Sequence, residues 1–134
     1  MPAADNNENN AFRVNVKKEA SRARKEQFVG DILKYVGENA FDPNISQINV
    51  ADHFKISIYS LSRLFAQDIG VGFTEFITGK RIEKAKNELE TTDRPISEIA
   101  SGTGIPNVNY FSRLFKEMTG ETPAKYRASK RTAN

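Results

Sequence analysis

The chain has 134 residues, of which 38% are hydrophobic, and 20 Lys and Arg against 17 acidic residues give a formal net charge of +3. This length allows one domain or two very small ones sharing a core, and nine Phe and four Tyr provide apolar volume for packing. There is no apolar run of membrane-spanning length, no hydrophobic stretch in the polar first 25 residues and no cysteine, so we expect a cytoplasmic protein without disulfides or thiolate metal sites.

Basic residues are concentrated in two segments, residues 13–25 and 110–134, with six Lys or Arg in each. Such clusters favour a polyanionic partner, but basic tails are also common for solubility alone. Charge by itself therefore leaves both interpretations open.

The N-terminal segment is polar and then basic, with few apolar residues. Over residues 1–24 we predict an arm without regular structure, which either contacts the polyanionic partner or only keeps the chain soluble. A first helix is predicted over residues 25–39, because Phe28, Val29, Ile32 and Val36 fall on one helical face.

The tetrapeptide Ser-Arg-Leu-Phe occurs twice, at residues 62–65 and 112–115. Similar residues accompany both copies in the same order: Ile45-Ser46-Gln47-Ile48 with Ile96-Ser97-Glu98-Ile99, Val50-Ala51 with Ile99-Ala100, Gly70 with Gly120, and Phe76 with Tyr126. Matches kept in order over about thirty positions indicate two copies of one supersecondary unit.

Each copy divides into two helices joined by a short turn, as in a helix-turn-helix unit. In the first copy we predict helices over residues 46–54 and 57–68, with a turn at 55–57 and a stop at Gly70. In the second copy we predict helices over 97–103 and 108–118, joined by a turn one residue longer and stopped at Gly120. Thr122 and Pro123 then begin a last helix that continues to residue 129.

A single longer helix, predicted over residues 73–92, joins the two copies. Its apolar residues form two patches about 160° apart around the helix axis: Phe73, Phe76 and Ile77 in one, and Ile82, Ala85 and Leu89 in the other. A helix with two opposed patches is expected to dock into two bodies, so we predict a strut between two lobes. At 1.5 Å per residue it would be about 30 Å long, close to the roughly 34 Å between successive major grooves on one face of B-DNA.

The second helix of each copy combines a core face with an exposed face. The residues expected in the core are Leu61, Leu64, Phe65, Phe111, Leu114 and Phe115. Arginine suits bidentate bonding to guanine, asparagine to adenine, serine several base edges, and a tyrosine ring a thymine methyl group. The candidates for base contacts are therefore Tyr59, Ser62, Arg63, Asn109, Ser112 and Arg113, although the arginines also fit as solvated helix charges and the serines as small packing residues.

Contacts to phosphate are expected from a second set of residues. Ser46 and Ser97 are predicted to cap helices whose free backbone N–H groups suit phosphate oxygens. The candidates for neutralising phosphates are Lys55, Lys80, Arg81, Lys116, Lys125 and Arg127.

Together these residues resemble the DNA-binding domain of the AraC/XylS family of bacterial transcription regulators. The resemblance covers about residues 26–128 and is strongest in Ile96-Ser97-Glu98-Ile99-Ala100, Tyr110-Phe111-Ser112-Arg113-Leu114-Phe115-Lys116 and Gly120-Glu121-Thr122-Pro123-Ala124-Lys125-Tyr126-Arg127. The segment 81–89 is also similar, whereas Gly79, Glu90, Gly102, Ile105 and Pro106 depart from the family pattern.

The resemblance implies an all-α fold of about seven helices with two helix-turn-helix lobes, in a monomer that reads an asymmetric site in double-stranded DNA. It adds Ile58 and Val108 to the base-contacting residues. It also implies transcription activation, contact with RNA polymerase, and a place on the bacterial nucleoid. Family members usually carry a sensing or receiver domain before this one, so the chain is either a stand-alone regulator or a C-terminal piece.

We therefore predict an arm over 1–24, a first lobe over 25–72, a linker helix over 73–92, a second lobe over 93–129 and a basic tail over 130–134. One histidine, no cysteine and no paired carboxylates leave no catalytic, metal or cofactor-binding set, so we expect a sequence-specific transcription regulator without enzyme activity. The alternative is a helical protein-interaction module without DNA specificity.

Overall fold

The computed structural model describes the backbone of residues 2–132 and the side chains of residues 10–132. Within this part of the chain there are seven α-helices and no strand, which confirms the all-α fold class. The helices are α1 (Pro2–Asn39), α2 (Gln47–Phe54), α3 (Ile58–Leu64), α4 (Phe73–Thr91), α5 (Ile96–Gly102), α6 (Val108–Thr119) and α7 (Pro123–Thr132). None of the described helices has an apolar stretch that could span a bilayer.

The chain forms two compact units, residues 1–34 and residues 35–134. The described part of the first unit lies within α1. This helix begins at Pro2, whereas the sequence predicted no regular structure before residue 25. The difference follows from helix propensity, because residues 3–29 contain no glycine or proline and many Ala, Glu, Lys and Arg. The side chains of residues 10–27 are exposed, so local propensity rather than a buried face accounts for this part of the helix. Met1 and the last two residues of the predicted tail lie outside the described residues.

Helix α4 joins the two lobes of the second unit by burying opposite faces. In the first lobe the ring of Phe65 meets those of Phe73 and Phe76 edge-on, with centroids 5.4 and 5.8 Å apart. In the second lobe Ile82, Ala85 and Leu89 share one core with Phe111, Phe115 and Tyr126. The helix runs unbroken through Gly79, and the two apolar patches predicted from the sequence are confirmed.

The two lobes are structural copies, and their matched positions can be read from caps and turns. Ser46 and Pro95 are the N-caps of α2 and α5, and Ser57 and Asn107 are the N-caps of α3 and α6. Lys55 and Gly104 both have positive φ in the turns, and Gly70 and Gly120 both end the second helices. The extra residue of the second turn is therefore Pro106, which lies between the buried Ile105 and the cap Asn107.

This register corrects one prediction. The sequence paired Ser46 with Ser97, but Ser97 is the second residue of α5 and not its cap. Pro95 has the extended backbone of a cap (φ −57°, ψ 146°), and its carbonyl accepts hydrogen bonds from the N–H groups of Glu98 and Ile99. Pairing similar residue types was misleading, because it placed Ile48 opposite Ile99. Ile99 is buried and Ile48 is 60% exposed, whereas Val50 is buried and corresponds to Ile99 in the structure.

The second helix of the first lobe also differs from its prediction. Helix α3 ends at Leu64, and the chain continues as a π-helical turn over Phe65–Ile69 before the left-handed Gly70. Of the residues expected in the core, Leu61, Phe65, Phe111 and Phe115 are buried, whereas Leu64 and Leu114 are half-buried.

Candidate nucleic-acid interface

Helices α3 and α6 each have one face in a core and one face in solvent. Leu61 anchors α3, while Ile58 is 45% exposed and Tyr59 is 71% exposed. The Oγ atom of Ser57 and the Oδ1 atom of Asn107 each accept a hydrogen bond from the backbone N–H group of the third residue of the helix that follows. Both helices are thus capped at the end that follows the turn, which stabilises their first turns.

The eight residues predicted to contact bases do not share one environment. Six are exposed: Ile58, Tyr59, Ser62, Arg63, Asn109 and Arg113. The other two are half-buried, and Val108 packs against the core of the second lobe. Val108 therefore has a packing role, which its counterpart Ile58 does not share to the same degree, and Ser112 is less accessible than Ser62.

Each exposed arginine lies over a tyrosine ring of its own helix. The guanidinium carbon of Arg63 is 5.8 Å from the ring centroid of Tyr59, and that of Arg113 is 5.8 Å from the ring centroid of Tyr110. Such a cation–π contact at an exposed site is worth about 0.5–1 kcal/mol, enough to favour one side-chain direction without burying the charge. Sequence analysis did not assign this role to Tyr110, although Arg and Tyr separated by one helical turn are a recognisable signal.

Four of the predicted phosphate contacts are lysines, and a fifth is the helix cap Ser46. Lys55, Lys116 and Lys125 are exposed, and Lys80 is half-buried with its Nζ 5.5 Å from the ring centroid of Phe76. The hydroxyl of Ser46 accepts a hydrogen bond from the Asn49 N–H at 3.2 Å, and the Ser46 N–H donates to the Asn49 side chain at 3.1 Å, which forms a capping box.

Both arginines among the predicted phosphate contacts, Arg81 and Arg127, hydrogen-bond to backbone carbonyls of the protein itself. Arg81 donates from Nε to the Ala40 carbonyl at 2.7 Å and from Nη2 to the Asp42 carbonyl at 2.9 Å. Burial lowers the pKa of Arg81, and the negative charge of Asp42 opposes that shift. Arg81 therefore ties α4 to the segment of residues 40–42, and its phosphate contact stays a prediction.

Arg127 plays a similar part at the C-terminal end of the strut. Its guanidinium donates to the carbonyls of Leu89 at 3.3 Å, Thr92 at 3.2 Å and Arg94 at 2.7 Å, so it caps the C-terminus of α4. The sequence predicted a phosphate contact here because an arginine near the C-terminus of a basic segment has the same appearance in either role.

The end of α4 is also bound to α7 through Tyr126. This side chain is 8% exposed, and its ring meets that of Phe115 edge-on at 5.3 Å. Burial raises the pKa of Tyr126, and the nearby carboxylate of Glu90, which accepts the tyrosine hydrogen bond, raises it further. Glu90 departs from the family pattern, and its contact with Tyr126 gives that departure a structural reason.

Comparison with known proteins finds the same architecture. A family model described as a helix-turn-helix domain matches residues 50–129. The arabinose operon regulatory protein of Escherichia coli (strain K12) is 35% identical over 100 residues, which cover 75% of this chain and 34% of that protein. The C-terminal domain of AraT, a response regulator from Geobacillus stearothermophilus, has a TM-score of 0.73 at 33% identity, covering 75% of this chain and 84% of that one.

The DNA-binding domain of the global transcriptional factor AdpA, solved in complex with a target DNA, has the same fold, with a TM-score of 0.74 at 22% identity over 79% of this chain and 95% of that one. This chain spans about a third of the length of the two arabinose operon regulatory proteins and of the Bacillus subtilis regulator YfiF that it matches. The fold consists of two capped helix-turn-helix lobes on one strut. The matching family model and these relatives indicate the same family. The chain belongs to the AraC-type family of helix-turn-helix, DNA-binding transcription regulators.

Proposed function

We propose that this chain reads DNA sequence with both lobes, and that α3 and α6 enter two successive major grooves of one duplex. The observation that carries the proposal is the matched pair of exposed arginines. Arg63 and Arg113 each lie over a tyrosine ring, on a helix whose opposite face is anchored in a core. Arginine at such a position suits bidentate hydrogen bonding to guanine in the major groove.

The length of the strut supports the use of two grooves. Helix α4 has 19 residues, so it is about 28 Å long at 1.5 Å per residue, compared with roughly 34 Å between successive major grooves. Because one chain carries both reading helices, a monomer suffices for about 20 bp of duplex, and the site needs no two-fold symmetry.

The remaining parts of the proposal follow from the chemistry of DNA and from the family. Phosphates are neutralised by four lysines: Lys55, Lys80, Lys116 and Lys125. Because this neutralisation releases counterions, DNA binding is strongly dependent on salt. The protein acts in the cytoplasm on the bacterial nucleoid, activates transcription and contacts RNA polymerase, as the family resemblance implies. DNA binding and not catalysis is its activity.

Selection of bound sites from a random duplex pool tests the proposal. We expect two short motifs whose centres are one helical turn apart, with Arg63→Ala weakening one motif and the matched Arg113→Ala weakening the other. Enrichment of a single motif would contradict two-groove reading. Failure to enrich any motif, with binding that depends little on salt, would favour the protein-interaction module instead.

A further inference from the structure

The two lobes meet at a second place besides their common helix, and this place is built around two basic residues of α4. Arg81 ties the middle of α4 to the loop that leads into α2, through its two hydrogen bonds to the carbonyls of Ala40 and Asp42. The planar fork of a guanidinium presents N–H groups at a fixed spacing to two carbonyls, whereas a lysine ammonium is a compact charge without that fixed spacing.

Lys84 lies one turn further along α4 and contacts both lobes. Its Nζ donates to the carbonyl of Gly102, the last residue of α5, at 3.0 Å. The same Nζ lies 4.3 Å from the ring centroid of Phe41, in the loop that Arg81 holds. One ammonium group therefore bridges the entry of the first lobe and the turn of the second.

The backbones of the lobes also approach each other directly. Gly104 has φ +97°, and a Cβ atom at this position would lie 2.7 Å from the carbonyl oxygen of Phe41 and 3.0 Å from Nε of Arg81. The equivalent position of the first lobe is Lys55, which has a side chain. We name the set of Arg81, Lys84, residues 40–42 and residues 102–104 the inter-lobe junction.

A helix that contains Gly79 fixes the distance between two lobes better than it fixes their rotation about its axis. Reading two grooves needs both, because one added base pair moves a half-site by about 3.4 Å and turns it by roughly 35°. The inter-lobe junction lies off the axis of α4, and its hydrogen bonds therefore oppose that rotation.

We propose that the inter-lobe junction determines which half-site spacing the protein accepts, and that Arg81 and Lys84 are positioning residues for this purpose. The inference rests on the proposed function, in which α3 and α6 both enter DNA. It differs from a phosphate role in one consequence. Loss of a phosphate contact weakens all sites alike, whereas a loosened junction changes the relative affinities of sites with different spacing.

The first test measures the free protein and needs no DNA. The chain has no cysteine, so spin labels can be attached through Gln67→Cys and Glu117→Cys, at exposed and matched positions of the two lobes. We expect a narrow distribution of label-to-label distances in the parent, and a clearly broader one in Arg81→Lys and in Lys84→Met. The matched control Lys80→Met, a neighbour without a carbonyl partner across the lobes, should leave the distribution narrow. Unchanged distributions in both junction variants would overturn the inference.

The second test measures affinity for selected duplexes in which one base pair is added or removed between the half-sites. Wild-type protein should bind the duplexes of altered spacing about tenfold or more weakly than the selected duplex, as for a mismatched base pair. For Arg81→Lys and Lys84→Met the same change in spacing should weaken binding by less than about threefold. Lys80→Met should bind all duplexes more weakly but keep the wild-type preference. Equal preference in wild type and in both junction variants would overturn the inference.

The two tests separate the inference from the proposed function. If wild-type protein ignores spacing, two-groove reading fails, while the label distances still decide whether Arg81 and Lys84 hold the lobes together. If Arg81→Lys does not fold, as judged by its thermal unfolding, Lys84→Met decides both tests.

Discussion

Arg113 remains exposed on α6 with its guanidinium over the ring of Tyr110, and this geometry gives a prediction for one residue. Arg113→Ala should cost roughly 1–3 kcal/mol in binding of the selected site, and base preference should relax only at the pairs that α6 faces. The measurement is the affinity for a series of duplexes, each with one altered base pair.

Lys116→Ala, on the same helix, is the matched control for Arg113→Ala. It should weaken binding to all duplexes alike and lower the slope of log affinity against log salt by about one. An Arg113→Ala variant that behaves like Lys116→Ala would show that Arg113 contacts phosphate and not bases.

Tyr126 gives a prediction about pH, because burial and Glu90 raise its pKa in the folded protein. The unfolded chain releases the tyrosine proton near pH 10, whereas the folded protein retains it to higher pH. The stability that depends on this proton is therefore complete below pH 10 and is lost as the pH rises through the folded pKa. Urea unfolding of wild-type and Tyr126→Phe proteins between pH 8 and 11 should show a steeper loss for wild type. Parallel curves would mean that Tyr126 titrates alike in both states.

The sequence identified which arginines are present but not what each one contacts. Arg63, Arg113, Arg81 and Arg127 all occur beside apolar residues in helical segments. Two of them remain exposed, and two hydrogen-bond to backbone carbonyls more than 30 residues away. Such contacts depend on the folded chain and leave no mark in the local pattern, so the residue-level site was only partly predictable.

In the turn between α2 and α3, Lys55 combines a strained backbone conformation with a predicted phosphate contact. Lys55 has φ +60°, a conformation that costs a residue with a side chain about 1–2 kcal/mol and glycine little. Lys55→Gly should therefore stabilise the fold by up to about 1 kcal/mol and still weaken binding to every duplex. Lys55→Ala should weaken binding equally without that stabilisation. Urea unfolding and salt titrations measure the two effects. A Lys55→Gly variant with wild-type affinity would exclude the phosphate role.

In the second lobe the turn residue that corresponds to Lys55 is Gly104, where there is no room for a side chain. Gly120, which has a similar backbone conformation but open space around it, provides the comparison. At Gly120, with φ +87°, a Cβ atom would meet nothing within 4 Å, so Gly120→Ala should cost only the backbone strain of about 1–2 kcal/mol. At Gly104 the same atom would collide with the Phe41 carbonyl, so Gly104→Ala should cost at least about 3 kcal/mol. Equal losses in chemical unfolding would mean that the two backbones can separate without cost.

Helix ends were predictable where capping chemistry determines them. Helices α3 and α6 begin after the caps Ser57 and Asn107, as these residue types suggest. Gly120 ends α6, and Gly70 ends the π-helical turn that follows α3. The start of α5 was wrong because similar letters were matched instead of buried positions. The π-helical turn over Phe65–Ile69 was not predicted, since the core packing of Phe65 against α4 has no local signal.

At the scale of the lobe pair, the sequence predicted the strut but not the inter-lobe junction. The two apolar patches of α4 are visible as a change of helical face, so two docking bodies could be inferred. Residues 40–42 and 102–104 carry no pattern that joins them, because their contact is between backbones and through Arg81 and Lys84. Contacts of this kind, between residues far apart in the sequence, are not encoded in a linear pattern.

A stiff pair of reading helices has a consequence for the DNA. The strut is about 28 Å long, whereas straight B-DNA repeats its major groove every 34 Å or so, so either the duplex bends or one lobe docks weakly. Bending a site of this size costs of order 1–6 kcal/mol, which contacts from the second lobe can offset. We expect a bend, measured as a gel mobility that depends on the position of the site within circularly permuted fragments.

Arg81→Lys distinguishes the source of that bend. If the inter-lobe junction imposes it, the loosened protein should follow straighter DNA, and the dependence of mobility on site position should decrease while the footprint still covers both half-sites. Lys80→Met should bind more weakly but bend the DNA as wild type does. Uniform mobility in wild type under a footprint of both half-sites would contradict the bend.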